Sequence, residues 1–335
     1  MSEHKKIQIG VLGCSRVAKK YFFPYVSSSE LADVEFIGSR SLEKAQEYAK
    51  DCSITKYGNY DDVINSDVDM VYISLPISMH EEWSIKAAKA GKHVLCEKSS
   101  TTSYESAKKI LQVCKENNVR ILEAFAFRFH PQHKIIKNLM RDQLGEINNF
   151  YGIFGFPPPP ENDIRWKKEL GGGVLNDVTC YPICASRIIF QSEPVSVLAH
   201  LKFDKEFQVD KSADIFLKYK DEKTAFVSSG FNNYYQSKYD VWGSNAKIST
   251  KRTYAVPQNY KTSIYLHKDD QIFETVIPPV DQFGLMFDTF CSAVTNKTQN
   301  PYDFEKDLLD QAKLMESIRI SNKEKRLVFL SDLKD

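Results

Sequence analysis

A chain of 335 residues is about twice the usual single-domain length, which predicts two domains. Its 45 Lys and Arg residues nearly balance 44 Asp and Glu; a net charge of +1 gives no basis for a nucleic-acid or acidic-membrane partner. With 42% hydrophobic and 27% charged residues, it has the composition of an ordinary globular protein with a sizeable core.

The first strand signal is IQIGVLG, apolar and β-branched, closing in a glycine turn. That turn reads Gly13-Cys14-Ser15-Arg16-Val17-Ala18 against the dinucleotide fingerprint G-x-G-x-x-G/A, with serine at the second glycine. Gly13 would make the tight turn and Ala18 would let the helix approach the strand. The helix N-terminus would offer backbone N–H groups to a pyrophosphate. Ser15 suits that role if its hydroxyl donates to a phosphate oxygen. RVAKKYFFPYVSS predicts a helix that Pro24 interrupts or kinks.

VEFIGSR is a second strand, SLEKAQEYAKDC a helix capped by Ser41, and YDDVINS a helical turn. VDMVYISLP is apolar enough for a strand buried on both faces. SMHEEWSIKAAKAG is a helix ending at Gly91, HVLCEKS a strand, SYESAKKILQVCKENN a long helix and VRILEAF another strand. This alternation predicts a doubly wound parallel sheet, with ligands at the carboxyl ends of its strands. From about residue 124 the rhythm changes. The helix HPQHKIIKNLMRD ends at Gly145, and β-rich runs follow from INNFYGIFGF to QIFETVI, alternating apolar and polar. Two helices, QFGLMFDTFCSAVTN and DFEKDLLDQAKLMESIRISNKEK, close the chain. The expected class is α/β. A Rossmann domain over residues 1–124 precedes an α+β domain over 125–335 with a large open mixed or antiparallel sheet.

The strand ends carry the chemistry. An NAD site usually places Asp or Glu at the end of the second strand, on the ribose hydroxyls. Here Ser39 and Arg40 stand there, a guanidinium and hydroxyls suited to a 2′-phosphate, so NADP(H) is expected over NAD(H). Glu97 and Lys98 end a strand of the parallel sheet, where a lysine can be desolvated and donate a proton or hydrogen bond.

In this order, GVLGCSRVA, SRSLEKAQEYA, VDMVYISLPISMHEEWSIKAAKAGKHVLCEKS, EAFAFRFHPQ and RWKKELGGGVLNDVTCYPI resemble the Gfo/Idh/MocA family of oxidoreductases. The likeness covers nearly the whole chain. It is greatest to the branch with NADP-dependent D-xylose dehydrogenase, dihydrodiol dehydrogenase and ketosugar reductases. It implies a cofactor loop at Gly13, Ser15, Arg16 and Val17, and a segment along the cofactor at Leu75, Pro76 and His80. Glu97 and Lys98 match the E-K-P motif, whose lysine contacts the reacting carbinol and the nicotinamide ribose. Asp177 and Tyr181 match D-x-G-x-H/Y, with Tyr181 as general acid/base. Arg128 and His130 match a stretch lining the substrate pocket, and Arg165 and Trp166 a loop closing over the cofactor. Ser99 replaces the proline of E-K-P, Ile77 the usual asparagine after Pro76, and Thr179 the glycine before Tyr181.

The function expected is an NADP(H)-dependent hydride transfer at a hydroxyl or keto carbon of a sugar or nucleotide sugar. A tyrosine with an unperturbed pKa of about 10 needs a nearby cation to ionise near neutrality, and Lys98 is the candidate. An NAD-dependent glycoside hydrolase and a non-catalytic dinucleotide-binding sensor are the competing readings. Seven dispersed cysteines show no metal-ligand spacing and read as reduced thiols. MSEHKK leads into the first strand without an apolar run, which predicts a cytoplasmic protein with no membrane association. Too few helices follow the β-rich runs to cover both sheet faces, so an aromatic face with Phe226, Tyr234 and Trp242 predicts a homo-oligomer, dimer or tetramer.

Overall fold

The computed structural model describes residues 6–295 and 302–334; the opening residues read above as a lead into the first strand lie outside them, save Lys6. The chain divides into two compact units, residues 1–125 with 283–309 and residues 126–282 with 310–335.

The first unit holds six strands: β1 (Ile7–Leu12), β2 (Ala32–Gly38), β3 (Lys56–Gly58), β4 (Met70–Ile73), β5 (His93–Cys96) and β6 (Ile121–Glu123). They run parallel in the order β3-β2-β1-β4-β5-β6, so the chain reverses direction across the sheet between β1 and β4. That is the doubly wound order, and its switch point lies at the glycine turn after β1. All four residues of β4 are buried, as its apolar run requires. The helices are α1 (Phe23–Val26), α2 (Leu42–Asp51), α3 (Tyr60–Ile64), α4 (His80–Lys89) and α5 (Tyr104–Glu116). Ser41, Asn59 and Ser103 cap α2, α3 and α5 through their side chains. β3 is three residues long and carries no periodicity to find it by.

The helix after the glycine turn is not evenly wound. Ala18–Phe22 forms a π-turn in which the Phe23 N–H reaches the Ala18 carbonyl, and Pro24 follows in the first turn of α1. The irregularity expected at Pro24 thus sits on its N-terminal side.

The second unit opens with α6 (Gln132–Gln143), β7 (Ile147–Phe156) and α7 (Cys180–Phe190). Seven strands follow: β8 (Ser196–Phe203), β9 (Asp210–Lys218), β10 (Thr224–Phe231), β11 (Gln236–Gly243), β12 (Lys247–Thr250), β13 (Thr262–Lys268) and β14 (Gln271–Ile277). Helix α8 (Gln282–Val294), helix α9 (Phe304–Glu324) and the short β15 (Val328–Phe329) complete the chain. The second sheet is mixed and nine-stranded, in the order β14-β13-β12-β11-β7-β10-β9-β8-β15; β7 and β10 are its parallel pair. Phe150, Gly152 and Phe154 of β7 face the buried side. A Cβ at Gly152 would stand 2.7 Å from Pro182, so the missing side chain is what lets α7 lie close on the sheet.

The opposite face is open. Leu198, Phe216, Phe226 and Tyr151 fall in register across β8, β9, β10 and β7. Phe226 is stacked on Tyr151 at 5.3 Å, and Trp242 adds a ring at 6.5 Å from Tyr151. Leu198, Phe226 and Trp242 are 45%, 42% and 53% exposed. Tyr234, expected on this face, lies in the loop before β11 instead.

Residues 283–309 join the first unit through aromatic burial. Phe22 meets Tyr72, Phe283 and Phe287 at 4.4, 6.3 and 5.6 Å. The Tyr25 hydroxyl donates to Asp288 at 2.5 Å, and a Cβ at Gly284 would collide with the Tyr25 ring.

Candidate functional site

In the first unit the predicted residues gather at the carboxyl ends of β1, β2, β4 and β5. Gly13 has φ +103°, and a Cβ there would stand 2.9 Å from both the Leu75 side chain and the Ser74 carbonyl. Glycine is demanded both by the backbone and by the close approach of the loop after β4. Ser15 acts as a helix cap. Its hydroxyl oxygen accepts the Ala18 N–H at 3.0 Å, while its carbonyl accepts from the Tyr48 hydroxyl at 2.7 Å. The serine therefore fixes the helix start, and its own O–H proton is still able to donate. Arg16 and Val17 are exposed on the first helical turn, where backbone N–H groups precede any intrahelical acceptor. The donor set at this turn fits a pyrophosphate.

Beyond β2, Ser39 is buried and Arg40 exposed. The Ser39 hydroxyl accepts the Ser41 N–H at 3.3 Å, and the Ser41 side chain accepts the Lys44 N–H at 3.2 Å. The Arg40 guanidinium lies beside the Tyr60 hydroxyl, where burial pushes the phenol up and the guanidinium acts against it. The residues that follow β2, Ser39 to Leu42, include no carboxylate to repel a 2′-phosphate.

The loops after β4 and β5 are tied together by a histidine. His80 is fully buried, with Nδ1 2.9 Å from the Ser99 carbonyl and Nε2 2.9 Å from the Leu75 carbonyl. Its imidazole faces backbone, not a ligand, so the segment Leu75–Pro76 can lie along a cofactor while His80 braces it from behind. Burial lowers its pKa, and the Lys98 charge adds to that. Glu97 accepts from the buried Tyr72 hydroxyl at 2.7 Å. Burial pushes the Glu97 carboxyl up, against the Tyr72 hydrogen bond and the Lys98 charge. Lys98 is partly exposed beyond β5, and its peptide to Ser99 is cis. Tyr72 was missed from sequence, because within an apolar strand it reads as core.

In the second unit the predicted residues surround the start of α7. Gly171 and Gly173 take φ +82° and +111°, and Leu175–Thr179 forms a π-turn that runs into α7. Thr179, which stands where the family has glycine, is buried and donates its hydroxyl to the Val174 carbonyl at 3.1 Å. The departure is absorbed inside the π-turn. Asp177 accepts from Arg165 Nε at 2.6 Å, and the same guanidinium donates to both Asp163 oxygens at 3.1 and 3.2 Å. Two residues expected to face different ligands are thus each other's partners. Trp166 is buried; its indole N–H donates to the Pro159 carbonyl and its ring stacks on Phe207 at 5.0 Å. The Trp166 side chain is core to its loop, while Arg165 is its outward member.

Tyr181 is partly exposed within an aromatic group, 5.5 Å from Phe127, 5.4 Å from Phe154 and 5.9 Å from Tyr254. Arg128 reaches the Cys184 sulfur at 2.9 Å, one turn along α7. His130 is buried, and its Nδ1 accepts the Gln132 N–H at 3.2 Å, which leaves the proton on Nε2. Burial lowers its pKa to about 4. Its neighbour His133, whose Nδ1 stands 3.0 Å from the Tyr239 hydroxyl, is lowered to about 3. Both are neutral at physiological pH.

None of the seven cysteines, all among the described residues, is in a disulfide. Among the described residues no helix is long and apolar enough to cross a membrane.

Residues 7–125 match the model of the oxidoreductase family with an NAD-binding Rossmann fold, and residues 133–249 match the GFO/IDH/MocA C-terminal domain. The chain is 30% identical to a dTDP-3,4-didehydro-2,6-dideoxy-alpha-D-glucose 3-reductase of Actinomadura kijaniata, over 93% of this chain and 95% of that protein. It is 30% identical to the NADP-linked D-xylose 1-dehydrogenase 2 of Haloferax volcanii, over 86% and 89%. The crystal structure of a 3-ketoreductase from Actinomadura kijaniata with NADP and TDP-benzene superposes with a TM-score of 0.91 at 30% identity, covering 95% of this chain and 98% of that one. Variants of that ketoreductase, with one tyrosine changed to phenylalanine or one lysine to alanine, have also been solved with the same ligands.

Proposed function

The chain belongs to the Gfo/Idh/MocA family of NAD(P)-dependent oxidoreductases, and on that premise we propose how its residues divide the work. The enzyme transfers a hydride between NADP(H) and a hydroxyl or keto carbon of a sugar, free or nucleotide-linked. What carries this reading is the likeness, over 93% and 86% of the chain, to a dTDP-sugar 3-reductase and an NADP-linked D-xylose dehydrogenase, with Lys98, Asp177 and Tyr181 standing where the family resemblance puts the site. The named relatives are reductases and dehydrogenases, which favours this reading over a hydrolase or a non-catalytic sensor.

The first unit takes the dinucleotide. Gly13, Ser15, Arg16 and Val17 would hold its pyrophosphate, Ser39 and Arg40 its 2′-phosphate, and Leu75, Pro76 and Glu97 the nicotinamide end, with His80 bracing that loop. When bound, the nicotinamide supplies or accepts the hydride. Tyr181 gives the proton to the reacting oxygen during reduction and takes it back during oxidation. Lys98 binds the same oxygen and offsets the negative charge that builds on it. Asp177 orients the sugar, held in place by Arg165. Arg128 and His130 bind its remaining oxygens, His130 as a donor through Nε2.

The open sheet face with Tyr151, Phe226 and Trp242 supports a homodimer, and the free thiols suit the reducing cytoplasm. A panel of free aldoses including D-xylose, and of dTDP-linked hexoses, should be screened with NADP⁺ and NAD⁺ at the nicotinamide absorbance. Turnover of at least one sugar with NADP⁺ is expected; none with either cofactor, despite tight NADPH binding, would favour the sensor reading instead.

A further inference from the structure

Three consecutive residues of the π-turn that leads into α7 are each held from a different element. The Leu175 N–H donates to Asp210 Oδ2 at 2.5 Å, from the first residue of β9. The Asn176 side chain accepts from Arg319 at 2.7 Å, from α9. Asp177 accepts from Arg165, from the loop after β7. Asp210 also approaches the Val174 N–H; burial raises its carboxyl above the usual range, against the Leu175 N–H bond and a smaller pull from Arg319. A Cβ at Gly173 would stand 2.3 Å from Asp210 Oδ1, so this glycine, at φ +111°, is what lets the carboxylate reach the helix start. Asn176 in turn donates to the Gly171 carbonyl at 3.0 Å.

We propose that Asp210 is the positioning residue that fixes the phase of the π-turn carrying Asp177 into α7 and Tyr181, with Arg319, itself paired with Glu316 at 3.2 Å, bracing the neighbouring Asn176. This rests on the reading of Asp177 and Tyr181 given above. One residue of slippage in a helix turns a side chain by about 100°. A turn closed one residue earlier would therefore swing Asp177 off Arg165 and Tyr181 off its ring neighbours. A buried carboxylate accepting backbone N–H groups is a strong cap for such a start, and Arg319 holds the same turn through Asn176. Neither residue has a sequence signal, because the carboxylate begins an ordinary interior strand and the arginine lies on a charged helix.

The test uses the full chain. In Asp210→Ala, amide exchange of residues 174–177 should accelerate at least tenfold over wild type, while NADPH affinity, read by fluorescence, stays within twofold. With D-xylose or a dTDP-linked hexose, whichever is turned over, kcat should fall at least tenfold with KM changed less. Asp210→Asn keeps one accepting oxygen and should recover most of the exchange protection and of kcat. If Asp210→Ala does not fold, Arg319→Met should show the same pattern at smaller size. Wild-type exchange at residues 174–177 in Asp210→Ala overturns the proposal, as does a loss of kcat that Asp210→Asn fails to restore. A parallel Tyr181→Phe variant separates the two readings. Undiminished turnover there refutes the role of Tyr181, whereas its collapse beside an unaffected Asp210→Ala refutes only the role of Asp210.

Discussion

Arg165 bridges two carboxylates, with Nε 2.6 Å from Asp177 and Nη1 3.1 Å from Asp163. Asp177 is 17% exposed in its side chain and Arg165 35%, so the pair is partly screened. Removing the guanidinium takes away its 2.6 Å charged hydrogen bond to Asp177. We expect Arg165→Met to cost about 1–2 kcal/mol in urea unfolding, below the full worth of a charged hydrogen bond because of that exposure. Turnover should fall as well. An unchanged unfolding midpoint would refute the structural part of this expectation.

Tyr181→Phe should lower turnover by about 10²–10⁴-fold, the usual worth of general acid–base catalysis. Cofactor affinity should barely move, since the phenol is not assigned to any phosphate. Lys98→Met should be similarly slow, and the double variant hardly slower than the worse single one, the pattern expected of two groups proposed to act as a unit. Additive losses in the double variant would show independent roles.

Arg40→Ala should remove most of the preference for NADPH over NADH, worth about 1–3 kcal/mol for a charge-assisted phosphate contact. The preference of the wild-type enzyme should shrink as salt rises. Titration by nicotinamide fluorescence at two ionic strengths reads both effects, and equal affinities in the wild type would contradict the assignment.

The two buried histidines predict acid sensitivity. Folding holds His130 at a pKa of about 4 and His133 at about 3, below the unfolded value of about 6.5, so each favours the neutral form in the native state. Their contribution is complete above the unfolded pKa and is lost as pH falls towards the folded values. Between pH 7 and pH 5 each should cost on the order of 2 kcal/mol. Urea unfolding at the two pH values measures this. His130→Gln should flatten the dependence, and a wild type equally stable at both would rule the effect out.

For assembly, Phe226→Glu with Trp242→Glu places two charges on the open face of the second sheet. Light scattering at micromolar concentration should find a dimer for the wild type and a monomer for the double variant. A monomeric wild type would discard the dimer.

Much of this protein is legible in its residues because periodicity and turn chemistry are local. The alternation of buried strands with capped helices announced the parallel sheet, down to Ser41 as a cap and Gly91 as a stop. The β-rich runs from β7 to β13 followed their period-two patterns, since one sheet face is buried and the other open, whereas β14 at the sheet edge is exposed at all but its last residue. Gly13, Arg40, Lys98 and Tyr181 were singled out by position, and the structure places the first three at the carboxyl ends of β1, β2 and β5 and Tyr181 in the first turn of α7.

What tertiary structure alone decided is which side chains are consumed by one another. His80 looks like a ligand histidine in sequence, yet two backbone carbonyls from separate loops occupy both its nitrogens. Trp166 sits beside Arg165 in the chain but turns inward onto Phe207, because successive residues of a short helical turn face different ways. Asp210 and Arg319 reach the start of α7 from 35 and 143 residues away in sequence. Hydrogen-bond partners at such separations are set by how sheets and helices pack, and no local pattern of residues encodes them.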